Sequence, residues 1–133
     1  MHLLPNTIET LTYFRERGYK MALLTNGNPP EQRGKIARFD LERFFDKIYI
    51  EGELGFGKPD PRVFRMALEQ LQSEPEHTLM IGDNLVWDIQ GAEAVGIKAV
   101  WYNWKGIAFP KDAGVQPVAI IINLKQLIDA VEL

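Results

Sequence analysis

Apolar positions follow two alternating rhythms along the chain. Leu4, Ile8, Leu11 and Phe14 recur at helical spacing, with Pro5 suited to a first helical turn and Gly18 to a stop. Residues 21–24 (Met-Ala-Leu-Leu) instead form a short unbroken apolar run, as in a strand covered on both faces. Ile36 and Phe39 mark a short helix after Pro29 and Pro30, residues 41–45 read as another helical turn, and 48–50 as a second strand. Asp60 and Pro61 then open a helix as N-cap and first residue, with Phe64, Ala67, Leu68 and Leu71 on its inner face. Residues 79–81 form a third strand that runs into Gly82, Asp83 and Asn84. A helix with Ile89, Ala92 and Val95 inward follows and ends at Gly96. Strands at 99–102 and 118–122 and a helix carrying Leu124, Leu127, Ile128 and Val131 complete the pattern. Alternating helices and two-sided strands predict an α/β fold, a three-layer Rossmann-like parallel sheet flanked by helices and joined by right-handed crossovers.

Composition narrows the setting. At 133 residues the chain is read as a single domain, 1–133, large enough to hold a core without staples. The absence of cysteine excludes disulfides, thiolate metal sites and a cysteine nucleophile. A net charge of −3 argues against a nucleic-acid partner bound through the bulk field. No apolar run approaches the ~18–20 residues of a membrane span, and no basic region followed by a long apolar stretch opens the chain. A cytoplasmic protein with no membrane partner is the expectation.

In open parallel sheets, ligands bind beyond the carboxyl ends of the strands. After the first strand come Thr25, Asn26, Gly27 and Asn28, a turn that can offer a hydroxyl and backbone N–H groups to a phosphate, or simply cap a helix. Beyond the second strand, glycines flank Lys58 and Pro59 follows it, so an ammonium could reach into the cleft, or stay solvated in a loop. The run from Gly52 to Lys58 matches the start of a P-loop, but Pro59 supplies no hydroxyl for Mg²⁺, and that reading is rejected. The third strand ends in Asp83, with Asp88 five residues on. Two such carboxylates can converge on one hard cation, although Asp88 also suits the first turn of a helix.

Taken together, Leu23-Leu24-Thr25-Asn26-Gly27, then Gly57-Lys58-Pro59-Asp60-Pro61, then Gly82-Asp83-Asn84 with Asp88-Ile89, resemble motifs two, three and four of the haloacid dehalogenase superfamily, in order and spacing. The resemblance runs from Leu4 onward. It implies a Mg²⁺-dependent phosphohydrolase that acts on small phosphorylated substrates through an aspartyl-phosphate. Thr25 would bind the transferring phosphoryl group with Asn26 and the Gly27 backbone in support, and Lys58 would pair with nucleophile and phosphoryl oxygens. Asp83 would hold Mg²⁺, and Asp88 would orient Lys58 or a metal-bound water. The Gly-Asp form of the fourth motif matches the phosphatases of the family rather than its dehalogenases.

One departure stands out. The family's first motif, Asp-x-Asp-x-Thr, is missing: the aspartates are 40, 46, 60, 83, 88, 112 and 129, and no two are separated by one residue. Its strand is central in the family, between those ending at Thr25 and Gly82, and the segment 28–47 is too short for a substrate-selecting cap. The expectation is therefore a core lacking nucleophile, central strand and cap, inactive alone. Its exposed strand edges would pair directly, or be filled by a homodimeric or strand-swapped partner or by an N-terminal segment. A non-catalytic phosphate- and cation-binding or regulatory domain is the competing class, which has less need of Thr25, Lys58, Asp83 and Asp88 together. Trp101, Tyr102 and Trp104 read first as packing residues, with a ligand-stacking wall or an interface patch as the minority view, and His2 and His77 as surface positions.

Overall fold

The expected alternation is realised as helices on both faces of parallel strands in the computed structural model, which describes residues 3–131; His2 lies outside them. The order is α1 (Thr7–Glu16), β1 (Ala22–Thr25), α2 (Pro29–Arg38), β2 (Lys47–Ile50), α3 (Glu51–Leu54), α4 (Pro61–Leu71), β3 (Leu79–Gly82), α5 (Gly91–Glu93), β4 (Lys98–Tyr102), β5 (Ala119–Ile121) and α6 (Gln126–Val131). The turn expected at 41–45 is a 3-10 segment, Glu42–Phe44, and a second one, Pro75–His77, precedes β3.

Strand β1 pairs in parallel with β2, placing Thr25 beside Ile50, while β3, β4 and β5 form a separate parallel sheet in which Gly82 lies beside Trp101. Direct pairing of the strands that end at Thr25 and Gly82, one of the arrangements expected, therefore does not occur: β1 and β3 belong to different sheets. Side chains make the join instead. Val63, Phe64 and Ala67 of α4 share one apolar cluster with Ala22 and Leu24 of β1, Met80 of β3, and Ala99 and Trp101 of β4. On the opposite face, Phe14 of α1 and Leu127 of α6 pack on Val100, Tyr102 and Ile121. The alternation Ala99, Trp101 to one face and Val100, Tyr102 to the other is the pleat of a strand buried on both sides. Trp101, Phe64, Ile50, Ile89 and Val100 are under 2% exposed, and the aliphatic and phenyl side chains among them each contribute roughly 1.5–3 kcal/mol on transfer from water.

Local chemistry explains where elements start. The Asp60 carboxylate accepts the Arg62 N–H at 2.9 Å, and Pro61 opens α4 as expected. Helix α1 begins at Thr7 rather than at Pro5, because Asn6 turns left-handed (φ 64°) and its amide donates to Asn123 Oδ1 at 3.0 Å. Helix α6 starts only at Gln126, whose side chain accepts the N–H groups of Ile122 and Asn123.

The continuous helix expected after Asn84 is instead a π-helical turn, Leu85–Gln90, that runs into α5. Asn84 Oδ1 accepts the N–H groups of Val86 and Trp87, and the Asn84 carbonyl accepts those of Asp88 and Ile89. This wide turn carries the Asp88 side chain back towards the end of β3, and such turns are frequent at functional sites.

Candidate active site

Thr25 ends β1, Asn26 and Gly27 follow it, Lys58 lies in the loop between α3 and α4, Asp83 follows β3, and Asp88 sits in the π-helical turn. The Thr25 hydroxyl donates to Gln32 Oε1 at 3.1 Å. A pocket of about 300 Å³ opens beside it, lined by Thr25, Gln32, Lys35 and an apolar set that includes Leu4, Leu23, Ile36 and Phe39.

Asn26 spans to the next loop. Its Nδ2 donates to the Lys58 carbonyl at 2.9 Å, and its Oδ1 accepts the Lys58 N–H at 3.0 Å. Gly57 is what permits this approach, since a Cβ there would stand 2.6 Å from Asn26 Oδ1. The Gly27 N–H, expected to be open to an anion, is taken by Glu51 Oε1 at 3.1 Å, and the Gly52 N–H returns to the Gly27 carbonyl.

Lys58 reaches across to the other sheet, where its Nζ stands 2.7 Å from Asp88 Oδ1. Both side chains are nearly enclosed, at 12% and 4% exposure. The contact is ionic rather than directional, for no aligned hydrogen bond reaches Oδ1, while Oδ2 accepts the Asn84 N–H at 3.0 Å. Gly82 makes room for this carboxylate: a Cβ there would lie 2.2 Å from Asp88 Oδ2.

Asp83 differs from Asp88 in being exposed. Its backbone carbonyl accepts the buried Trp101 indole N–H at 2.9 Å, and its carboxylate accepts Trp104 Nε1 at 3.3 Å. The neighbouring Tyr102 phenol is pushed up in pKa, first by burial and then by the Asp83 charge. The side chain of Asn103 closes the turn beneath Trp104 through two bonds with Ile107.

Among the described residues no group of three His, Cys, Asp or Glu side chains could hold a metal ion. Mg²⁺ takes one or two protein carboxylates together with water and substrate oxygens. With Asp88 paired to Lys58, Asp83 is the carboxylate of the motif that could serve as one donor to such an ion, alongside water and substrate oxygens.

Of the residues that the motifs single out, Asn26, Lys58 and Asp88 are brought into direct contact in that order, while Thr25 bonds to Gln32 and Asp83 to Trp104. The supporting roles of Gln32 and Glu51 were not anticipated, and Asn84 and Trp104, named in the sequence as part of a motif and as a packing residue, turn out to hold Asp88 and Asp83. Of Gln32 and Glu51, only Glu51 carried a readable signal, as a carboxylate directly after an apolar strand.

A family model for haloacid dehalogenase-like hydrolases matches residues 1–96. The chain belongs to that family. It is 41% identical over 125 residues to a phosphoserine phosphatase of Thermus thermophilus, covering 94% of this chain and 49% of the relative. A glyceraldehyde 3-phosphate phosphatase of Pyrococcus furiosus is 36% identical over 130 residues, covering 96% and 54%. Among solved structures, a haloacid dehalogenase-type phosphatase from Thermococcus onnurineus superposes with a TM-score of 0.88 at 32% identity, covering 98% of this chain and 58% of that one. The chain therefore spans about half the length of these curated relatives, and its sheet-and-helix architecture is that of the haloacid dehalogenase-like hydrolases.

Proposed function

We propose that this haloacid dehalogenase-like chain supplies the phosphate-binding half of a phosphomonoester hydrolase. The observation that carries the reading is the enclosed Lys58–Asp88 pair, whose lysine is also bonded to Asn26, the residue after Thr25. An ammonium fixed in a poorly solvated site neutralises charge on a transferring phosphoryl group far more effectively than one in water. In this reading Thr25 donates to a phosphoryl oxygen, and Asn26 acts behind it through its two bonds to Lys58. Lys58 pairs with phosphoryl oxygens, Asp88 orients Lys58, and Asp83 is one donor to the Mg²⁺ of the complete protein. The phosphatase relatives support a small phosphorylated substrate and a hydrolytic reaction.

The nucleophilic aspartate comes, in this proposal, from outside these 133 residues, since no Asp-x-Asp pair lies within them. It would arrive on a strand seated between β1 and β3, carried by an N-terminal segment or by a second copy, and would form the aspartyl-phosphate.

The test is hydrolysis of an aryl phosphate with and without Mg²⁺, by the chain alone and by the chain joined to an Asp-bearing N-terminal segment. The expected result is negligible turnover alone, turnover in the joined form, and loss of that turnover in Asp83→Ala. Turnover by the chain alone that disappears in Asp83→Ala would show that a carboxylate within these residues is the nucleophile. A silent joined form that still binds inorganic phosphate would instead favour a regulatory, phosphate-binding domain.

A further inference from the structure

We propose that Asn26 is a positioning residue for Lys58: its amide holds the backbone on both sides of Lys58, and so sets the direction of the ammonium. Asn26 follows directly on Thr25 and would ordinarily be counted with it as a group facing substrate. The geometry separates the two. The Asn26 side chain gives its donor to the Lys58 carbonyl at 2.9 Å and its acceptor to the Lys58 N–H at 3.0 Å, so both ends of the amide close on one residue. A primary amide has one carbonyl and one NH₂ group, and a reciprocal pair of this kind holds the two peptide groups that flank a single residue.

The bond pair also has room made for it, because any side chain at Gly57 would collide with Asn26 Oδ1. The Lys58 side chain then crosses from the end of the β1–β2 sheet to Asp88, 2.7 Å away beyond the end of β3. Asp88 is in turn held by the Asn84 N–H at 3.0 Å. The result is one polar relay, Asn26 to Lys58 to Asp88 to Asn84, which links two sheets that share no backbone ladder. Without the Asn26 amide, the Lys58 loop has lost the two bonds that tie it to β1, and the ammonium is free to leave Asp88 for solvent.

The inference rests on the phosphatase reading only for the use to which Lys58 is put, and its test needs no turnover. The purified chain is labelled with limiting acetic anhydride at several pH values, and the acetylation rate of each lysine is read by mass spectrometry. Lys58 in the parent chain should label at least ~10-fold more slowly than exposed Lys47 or Lys105, because its side chain is only 12% exposed and its amine lies against Asp88, out of reach of the reagent. Asn26→Ala should raise the Lys58 rate at least ~5-fold and leave Lys47 and Lys105 unchanged. Asn26→Asp keeps the acceptor for the Lys58 N–H and loses the donor to its carbonyl, and should fall between the two. Should Asn26→Ala not fold, the Asp variant decides the question.

Asp88→Asn serves as the reference for a released Lys58, and Gln32→Ala as a change in the first turn of α2 beside Thr25 that should leave Lys58 labelling at the parent rate. Parent-like labelling in folded Asn26 variants, beside fast labelling in Asp88→Asn, would overturn the positioning role. Equal acceleration in Gln32→Ala would overturn it too, by showing general loosening around Thr25. If Lys58 responds as expected and the joined form still hydrolyses no phosphate ester, the phosphatase reading fails and the positioning role stands.

Discussion

Lys58 and Asp88 lie 2.7 Å apart across two sheets, each nearly excluded from water. Replacing Lys58 with Met leaves the Asp88 carboxylate buried with the Asn84 N–H as its hydrogen bond and no counter-charge. Breaking such a pair from one side costs about 3 kcal/mol, more than the up to about 1 kcal/mol of an exposed pair such as Arg15–Asp46. Combining Lys58→Met with Asp88→Asn removes both charges and should recover most of the loss. Urea unfolding of the two single variants and the double gives the coupling directly. Additive losses would show that the two charges do not stabilise one another.

Two glycines should respond in opposite directions to the same change. Gly82→Ala places a methyl 2.2 Å from Asp88 Oδ2, so the carboxylate must move and its bond to Asn84 must break. A loss of about 3 kcal/mol or more is expected, in line with overpacking combined with a broken buried polar contact. Gly34 lies within α2, and a Cβ there meets nothing within 4 Å. Gly34→Ala should therefore stabilise by about 0.5–1 kcal/mol through helix propensity alone. Thermal melts of both variants check the pair, and a neutral Gly82→Ala would mean that Asp88 has somewhere else to go.

The contrast between these positions bears on what the sequence could disclose. The elements, the strand-end placement of Thr25 and Asp83 and the loop position of Lys58 were legible because periodicity and turn residues are local signals. Asp88 was legible as an acid near a helix start, but its burial was not. That burial depends on the π-helical turn, which arises when Asn84 takes four N–H groups, two on its side chain and two on its carbonyl. The Asn26–Lys58 bonds join residues 32 positions apart, and no periodicity reports on a contact at that range. The division into two sheets was likewise hidden, since an apolar run shows that a strand is covered on both faces and says nothing of which strand lies at its edge.

Asp46 ties the entry to β1 to the end of α1. Its carboxylate accepts the Met21 N–H at 2.9 Å and the Arg15 guanidinium at 3.0 Å, and these bonds, the one from Met21 foremost, hold its pKa below the usual carboxylate value. A depressed folded-state pKa stabilises above the unfolded value of about 3.9 and loses that contribution as pH falls through it. The site is partly solvated, so Asp46→Asn should cost no more than about 1 kcal/mol at pH 7. The same variant should lose less stability than the parent between pH 5 and 3. Urea midpoints at pH 7, 5 and 3 test the sign, and parallel acid limbs would remove Asp46 from the account.

Strand β5 pairs with β4 on one side only, and it alternates inward Ala119 and Ile121 with Val118, Ile120 and Ile122, which are 54%, 51% and 62% exposed. An edge strand with an apolar outer row favours association with another chain unless a charge interrupts it. Gln126 already covers the Ile122 N–H, so the middle of the row is the place to interrupt. Ile120→Lys should change unfolding stability by less than about 0.5 kcal/mol, as surface changes do, and lower the associated fraction in sedimentation at high concentration. β1 and β3 also have unpaired edges, at the place where a completing strand would sit. If the chain associates through those edges, Ile120→Lys leaves the sedimentation profile unchanged, and an added Asp-bearing strand peptide dissociates the complex instead. The two treatments therefore separate association through the apolar row of β5 from association through the unpaired edges of β1 and β3.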